Sequence, residues 1–212
     1  VVCGVNMLLL PQTFIACCQA HMLSAGGRCR TFDDSASGYA RGEGVGAQVL
    51  ERLGHRPALV ELKGSALNQD GRSSNLTSPN GPSQQSVVLT ALAEAQVAPT
   101  ALDFLEAHGT GTELGDPIEV GALQAALGGS RKEPLIIGAA KSNIGHLEGG
   151  AGMVGLLKIT SVLRGRRAQP NLHLRDLNNH VYEDVRDSFA VHFPTDCTLV
   201  SPAGPASASL SS

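Results

Sequence analysis

The spacing of apolar residues along the chain changes period several times, and each change marks an element. Val1 to Val5 is a short apolar run ending in Gly4 and Asn6, and it reads as the end of a buried strand. Phe14 to Leu23 fits a short helix, and Ser24 to Gly44 a polar, glycine-rich loop. Val45 to Leu53 and Ala58 to Ala66 read as two strands flanking the turn Gly54-His-Arg-Pro57. Asn68 to Ser83, with Asp70-Gly71 and Pro79-Asn-Gly-Pro82, reads as a long loop, functional or disordered. Gln84 to Gln96 has helical spacing through Val87, Val88, Leu92 and Ala95.

A strand–histidine–helix pattern then occurs twice. Leu102 to Ala107 reads as a strand, followed by His108 in a Gly/Thr loop and a helix from Ile118 to Leu127. Leu135 to Ala140 reads as a second strand, followed by a loop holding His146 and a helix to about Leu163. Strands alternating with helices predict an α/β fold with a largely parallel sheet. Ligands bind such sheets at the carboxyl ends of the strands, where both histidines fall. The tail from Cys197, with Ser201-Pro-Ala-Gly-Pro-Ala-Ser-Ala-Ser209, is of low complexity and is expected to be disordered.

Composition narrows the classes of function. The chain has 212 residues, enough for one domain or one and a half at about 150 residues each. With 42% hydrophobic and 17% charged residues and 25 glycines it reads as soluble, globular and rich in turns. Trp is absent and aromatics are 3%, which disfavours stacking on bases or sugars. A net charge of −3 without a basic run argues against nucleic acid and anionic membrane as partners. No stretch reaches the roughly 18 apolar residues of a membrane span. Cys3, Cys17, Cys18, Cys29 and Cys197 show no CxxC or zinc spacing. An odd count without a signal peptide fits free thiols in a reducing, cytoplasmic setting. The first residues, without Met or a charged stretch, read as the middle of a protein.

The two repeated units hold the candidate chemistry. In the first, Asp116, Pro117 and Glu119 fit a helix start, with Asp116 as N-cap, Pro117 at N1 and Glu119 closing a capping box. Gly109 and Gly111 allow positive φ or a close approach of backbone to ligand. Thr110 and Thr112 then present hydroxyls that either bind a ligand or cap the loop. His108 alone is more often a hydrogen-bonded core residue than a catalyst. His146 lies near a helix start, whose dipole disfavours imidazolium by about 0.3–1 kcal/mol. A neutral imidazole there is able to donate to a developing oxyanion. Lys141 is either a buried ammonium that orients acid–base groups or a solvated surface lysine. Gly149, Gly150, Gly152 and Gly155 weaken their helix by up to ~1 kcal/mol each, which calls for a close-packed neighbour. No i,i+4 histidine pair or third ligand suggests a metal, and the phosphate-loop patterns are absent.

These residues resemble a known family. Glu106-Ala-His-Gly-Thr-Gly-Thr-x-x-Gly-Asp-Pro-Ile-Glu119 and Lys141-Ser-Asn-Ile-Gly-His-Leu-Glu148 look like the two histidine motifs of β-ketoacyl synthases. Gly64-Ser-Ala-x-Asn-Gln-Asp-Gly, continuing to Gln85, resembles a loop of type I modular polyketide synthases. Arg28-Cys-Arg-Thr-Phe-Asp33 and Gly38-Tyr-Ala-Arg-Gly-Glu-Gly44 fit the stretch before it, and the likeness runs from Val1 to about Thr195. The resemblance implies a thiolase-like fold of αβαβα layers, here incomplete. Residues 1–56 would end the N-terminal half, 57–196 form most of the C-terminal half, and 197–212 remain a tail.

The activity it implies is decarboxylative Claisen condensation of an acyl thioester with a malonyl-type extender. His108 and His146 would assist decarboxylation and stabilise the oxyanion, Lys141 would support their protonation, and Thr110 and Thr112 would bind the pantetheine arm. No cofactor is implied on the domain itself, because substrate arrives on the phosphopantetheine of an acyl carrier protein. Further implied partners are a second copy in a homodimer and acyltransferase and other synthase domains in cis. The family's nucleophile motif, of the type Asp-Thr-Ala-Cys-Ser-Ser-Ser, is absent and expected upstream of Val1. Cys17-Cys18 aligns with a helix past that motif and is no substitute. The Gly-Phe-Gly-Gly-Thr-Asn motif is also missing, so half the sheet of one layer is expected to be lost and the apolar run Val1 to Leu10 to be exposed. The competing reading is a non-catalytic, carrier-protein-binding remnant. A thiolase-like enzyme of other chemistry is disfavoured by the Asn68 to Gln85 loop.

Overall fold

Two apolar cores lie on opposite faces of one short parallel sheet. The computed structural model describes residues 1–71, 79–129, 131–200 and 205–211. Strands β3 (Phe104–Glu106) and β4 (Leu135–Gly138) are buried at every position, as expected of strands covered on both faces. They pair in parallel, Phe104 opposite Ile136 and Glu106 opposite Gly138. Strands β6 (Val191–His192) and β8 (Ala208–Leu210) flank them in parallel, in the order β6-β4-β3-β8.

Alternate side chains leave a strand on opposite faces. Leu105, Leu135 and Ile137 therefore pack on one side with α2 (Gly81–Ala95), α3 (Gly115–Leu127) and α6 (Asn179–Val185), through Leu92, Leu123 and Val181. Phe104 and Ile136 face the other way, onto Ile159 and Val162 of α5 (Ala151–Gly165). Both strand–histidine–helix units are present, with the strands two or three residues shorter than the apolar runs that encode them.

Capping explains the earlier helix starts. Helix α1 (Pro11–Gln19) begins at Pro11, which suits a first turn because its missing N–H is not needed there. Helix α2 begins at Gly81 because Asn80 accepts from the Ser83 N–H at 3.1 Å. The long loop is thus shortened at its end; Asn68 Nδ2 donates to Ser83 O and Asn80 Nδ2 to Asp70 O, while residues 72–78 lie outside the described residues.

Three expectations are corrected. Ala58 to Ala66 is not a strand: its apolar alternation finds no neighbouring ladder, and Leu59 and Leu62 stay exposed. Strand β2 (Gly44–Gln48) stops short of Leu53 because its one partner among the described residues, β1 (Val2–Asn6), matches it over five residues, Val2 opposite Gln48 to Asn6 opposite Gly44. The tail is not wholly disordered. Strand β7 (Thr198–Leu199) pairs with β5 (Arg167–Ala168), and β8 takes the edge beside β3 where the sheet was expected to break off. Backbone bonding holds this low-complexity segment: Ser207 N donates to Asp103 Oδ2 at 2.8 Å and Ser211 N to Glu106 O at 2.9 Å. Residues 201–204 and 212 lie outside the described residues.

Strand β1 is present but not buried. Val1, Val5, Leu9 and Leu10 are exposed, together with Ile15 of α1 and Val45 of β2. Only the inner side of β1 is covered, where Gly4 packs against Met153 and Gly150 so closely that a Cβ would lie 2.8 Å from the Met153 Cβ. Among the described residues no helix is long and apolar enough to cross a membrane.

Candidate active site

His108 follows β3 by two residues and is positioned through its main chain. Its N–H donates to Glu119 Oε1 at 2.7 Å, and the next N–H, of Gly109, donates to Glu119 Oε2 at 2.9 Å. Asp116 holds the loop's other end, accepting from Gly111 N at 3.1 Å and Phe32 N at 2.8 Å. The capping box read from the sequence is therefore corrected. Helix α3 starts before Asp116, its N-cap Leu114 makes no side-chain cap bond, and Thr112 Oγ1 accepts from Gly115 N at 3.2 Å instead. Both carboxylates are buried, Asp116 in the first turn and Glu119 just beyond it, and both accept from main-chain donors outside the helix. Gly109 (φ +47°) and Gly111 (φ +77°) adopt the left-handed region, and a Cβ on either would meet a neighbour within 2.7 Å.

His146 is fixed on three sides. Its N–H donates to Ala40 O at 2.7 Å, and its carbonyl accepts from Gly42 N at 2.9 Å. Its ring Nδ1 accepts from Glu148 N at 3.0 Å. A neutral imidazole that accepts at Nδ1 carries its proton on Nε2, so the free edge of His146 is a donor.

The histidines converge: their ring centroids lie 5.4 Å apart, at an interplanar angle of 89°. Tyr39 packs against His146 at 5.2 Å. Lys141, first residue of the short helix α4 (Lys141–Ile144), is buried, which settles the choice against a solvated lysine. Thr110 and Thr112 lie in the same loop as His108, their hydroxyl oxygens 3.3 Å apart. All five residues singled out in the sequence thus fall on the segments that follow β3 and β4, Lys141 at the start of α4 and the others on loops.

Burial sets the protonation states. It is the larger cause, with the Lys141 ammonium second, in pulling His108 down to about 3 and His146 to about 4. Burial also lowers Lys141, opposed by Glu119 and Glu106. At neutral pH both rings are uncharged. The buried Nδ1 of His108 has no hydrogen-bond partner among the described residues.

Sequence reading missed three supports of the site. Glu119 and Asp116 were read as caps, although two acids at a helix start behind a glycine loop also suit loop bracing. Arg41, whose guanidinium binds Glu148, carried no signal at all. The glycine stripe was legible: Gly149 lies under the Val5 carbonyl, and Gly155 leaves room for Leu210. Among the described residues no group of three or more His, Cys, Asp or Glu side chains is placed to hold a metal ion.

Comparison with known proteins decides the family. Residues 1–55 match the model of the β-ketoacyl synthase N-terminal domain, and residues 59–175 that of the C-terminal domain. The chain belongs to the β-ketoacyl synthase family. Among curated β-ketoacyl synthase relatives, polyketide synthase GfsA of Streptomyces halstedii is 46% identical over 186 residues, 84% of this chain and 2% of that protein. Erythronolide synthase EryA2 of Saccharopolyspora erythraea is 45% identical over 184 residues, 84% of this chain and 5% of that protein. The ketosynthase from module 6 of the bacillaene synthase of Bacillus subtilis 168 superposes with a TM-score of 0.87 at 34% identity, over 93% of this chain and 36% of that one. The chain thus has the layered, thiolase-like α/β fold of ketosynthases and spans about a third of a solved one.

The half-buried pair makes a direct prediction for this ketosynthase segment. Neither His108 nor His146 titrates between about pH 8 and about pH 5 when ring nitrogens are followed by 1H–15N correlation. Lys141→Met raises both pKa values, because a neighbouring cation opposes protonation, but burial keeps them below the free value. A ring that titrates near pH 6.5 in the unsubstituted chain would contradict this. In the unfolded chain both rings titrate near about 6.5, so the stability of burying them neutral is complete above that pH and is lost as pH falls toward 4 and 3. Asp116 works in the opposite sense: burial raises its carboxyl to about 7, and protonating it favours the folded chain.

Proposed function

We propose that this chain supplies the decarboxylation and oxyanion machinery of a polyketide-type ketosynthase, an acyltransferase that performs decarboxylative Claisen condensation. The observation that carries the reading is the pair of half-buried, neutral histidines 5.4 Å apart, one with its Nε2–H free to donate. A malonyl-type thioester arrives on the phosphopantetheine of an acyl carrier protein, its arm passing Thr110 and Thr112. The carboxylate leaves as CO2, and its bonding pair becomes the enolate. His108 and His146 donate to the thioester oxygen as it gains charge. Burial, with Lys141 as the second cause, keeps both rings in the neutral form needed to donate. The enolate carbon then attacks the carbonyl of an acyl group held as a cysteine thioester, forming the carbon–carbon bond, breaking the C–S bond and expelling the cysteine thiolate.

None of the five cysteines here suits that last role. Burial pushes the Cys29 thiol up, and its sulfur is engaged with the Ala40 backbone. Cys17 lies on α1 and accepts from the Tyr39 hydroxyl, and Cys3, Cys18 and Cys197 are exposed. In this reading residues 1–56 end the N-terminal half of the domain, 57–196 form most of the C-terminal half, and the nucleophile lies outside this chain. The intact domain works in the cytoplasm as a homodimer, with acyltransferase and other synthase domains in cis.

The test is binding of malonyl-loaded carrier protein, followed by NMR. The loaded form is expected to shift the Gly109–Thr112 amides, and the carrier protein without its arm is not. Thr110→Val with Thr112→Val weakens binding of the loaded form about tenfold, the loss of about 1.4 kcal/mol of hydrogen bonding. Intact-mass analysis with an acyl thioester is expected to show no stoichiometric adduct. Equal binding of both carrier forms, or a stable acyl adduct on Cys17 or Cys18, would overturn the assignment.

A further inference from the structure

Glu148 is one of five described non-glycine residues with positive φ, at +43°. A side chain disfavours that conformation, so something must hold it. Its own carboxylate is held: Arg41 Nε donates to Oε1 at 2.7 Å and Nη2 to Oε2 at 2.9 Å, a bidentate pair. Arg41 is itself anchored. Nη1 donates to Thr13 Oγ1 at 2.6 Å, the guanidinium lies 4.7 Å over the Phe14 ring, and its side chain is only 5% exposed. The strained residue has one further partner of consequence, because its N–H is the donor to His146 Nδ1. Residues 40 to 42 meanwhile grip the His146 backbone through the Arg41–His146 β-bridge.

We propose that Arg41 and Glu148 form a clamp that sets the tautomer of His146. The ion pair holds the Glu148 backbone in its left-handed form, which aims the N–H at Nδ1 and leaves the proton on Nε2. Neither residue touches the reacting atoms; both are positioning residues. Without the clamp Glu148 relaxes to negative φ, its N–H turns away, and the ring samples both tautomers. Helix α1, through Thr13 and Phe14, thereby stabilises the donor edge of a histidine more than a hundred positions away in sequence. The proposal deepens the reading of His146 as an oxyanion donor, but the tautomer is read without turnover, so failure of the clamp and failure of that reading are told apart.

Glycine supplies the discriminating variant, since it adopts positive φ without a clamp. The ring nitrogens of His146 are followed by long-range 1H–15N correlation in the full chain at neutral pH. The unsubstituted chain is expected to show an unprotonated Nδ1 and a protonated Nε2, well separated. In Arg41→Ala the two shifts move toward a common average, and adding Glu148→Gly to Arg41→Ala restores the separation. Glu148→Ala, which keeps Arg41 but loses the carboxylate, carries the same test should Arg41→Ala lose the fold. Unchanged ring shifts in Arg41→Ala or Glu148→Ala would overturn the proposal. So would a folded double variant in which the Nε2-protonated tautomer is not restored.

Discussion

Glu119→Ala is expected to destabilise the chain by about 2–6 kcal/mol, because it leaves two buried main-chain donors, of His108 and Gly109, without acceptors at about 1–3 kcal/mol each. Glu119 is buried and replaces water entirely for both groups. A domain's whole stability is about 5–15 kcal/mol, so this one change brings the chain near unfolding. Glu119→Gln should lie between the two. Its single carbonyl oxygen accepts from one N–H, while its NH2 faces the other donor. Urea unfolding midpoints of the three chains give the order directly. A loss below about 1 kcal/mol in Glu119→Ala would show that the loop repacks or admits water, and that His108 is not fixed by this carboxylate.

Asp116→Ala should act in the same direction through Gly111 and Phe32, with a larger effect at low pH than above about pH 7. Burial raises the carboxyl to about 7, so below that pH the folded chain holds it protonated without the cost of burying its charge, and ionisation removes that contribution. The two acids thus serve the loop that carries His108, although their position in the sequence suggested only the start of a helix.

How far the sequence reached follows from which interactions are local. The two strand–histidine–helix units were legible because Leu102 to Ala107 and Leu135 to Ala140 are continuous apolar runs, each closed by a glycine-containing loop. The convergence of His108 and His146 followed from topology, since adjacent parallel strands end on the same side. Ala58 to Ala66 misled because alternation records only that one face is apolar. A strand also needs a ladder, and here the segment has none. The tail misled for the opposite reason. Ala208 to Leu210 is held by main-chain bonds to β3 and by Leu210 over Gly155, neither of which composition reveals. The Arg41–Glu148 pair spans 107 positions and gives no periodic signal. Glu119 and Asp116 were found but misassigned, because a cap and a brace place the same residue types at the same spacing.

The central claim is that His108 and His146 act together as neutral donors to the charge formed on decarboxylation. Release of labelled CO2 from malonyl-loaded carrier protein tests it most directly, because that step needs no cysteine. The expected result is release above the uncatalysed rate by this chain, falling about 10²–10³-fold in His108→Ala and in His146→Ala, the usual loss for one oxyanion donor. Cys18→Ser, a change on the exposed side of α1, should leave the rate unchanged. A chain that releases no CO2 above background, or one whose His108→Ala and His146→Ala variants decarboxylate as fast as the unsubstituted chain, would contradict the account.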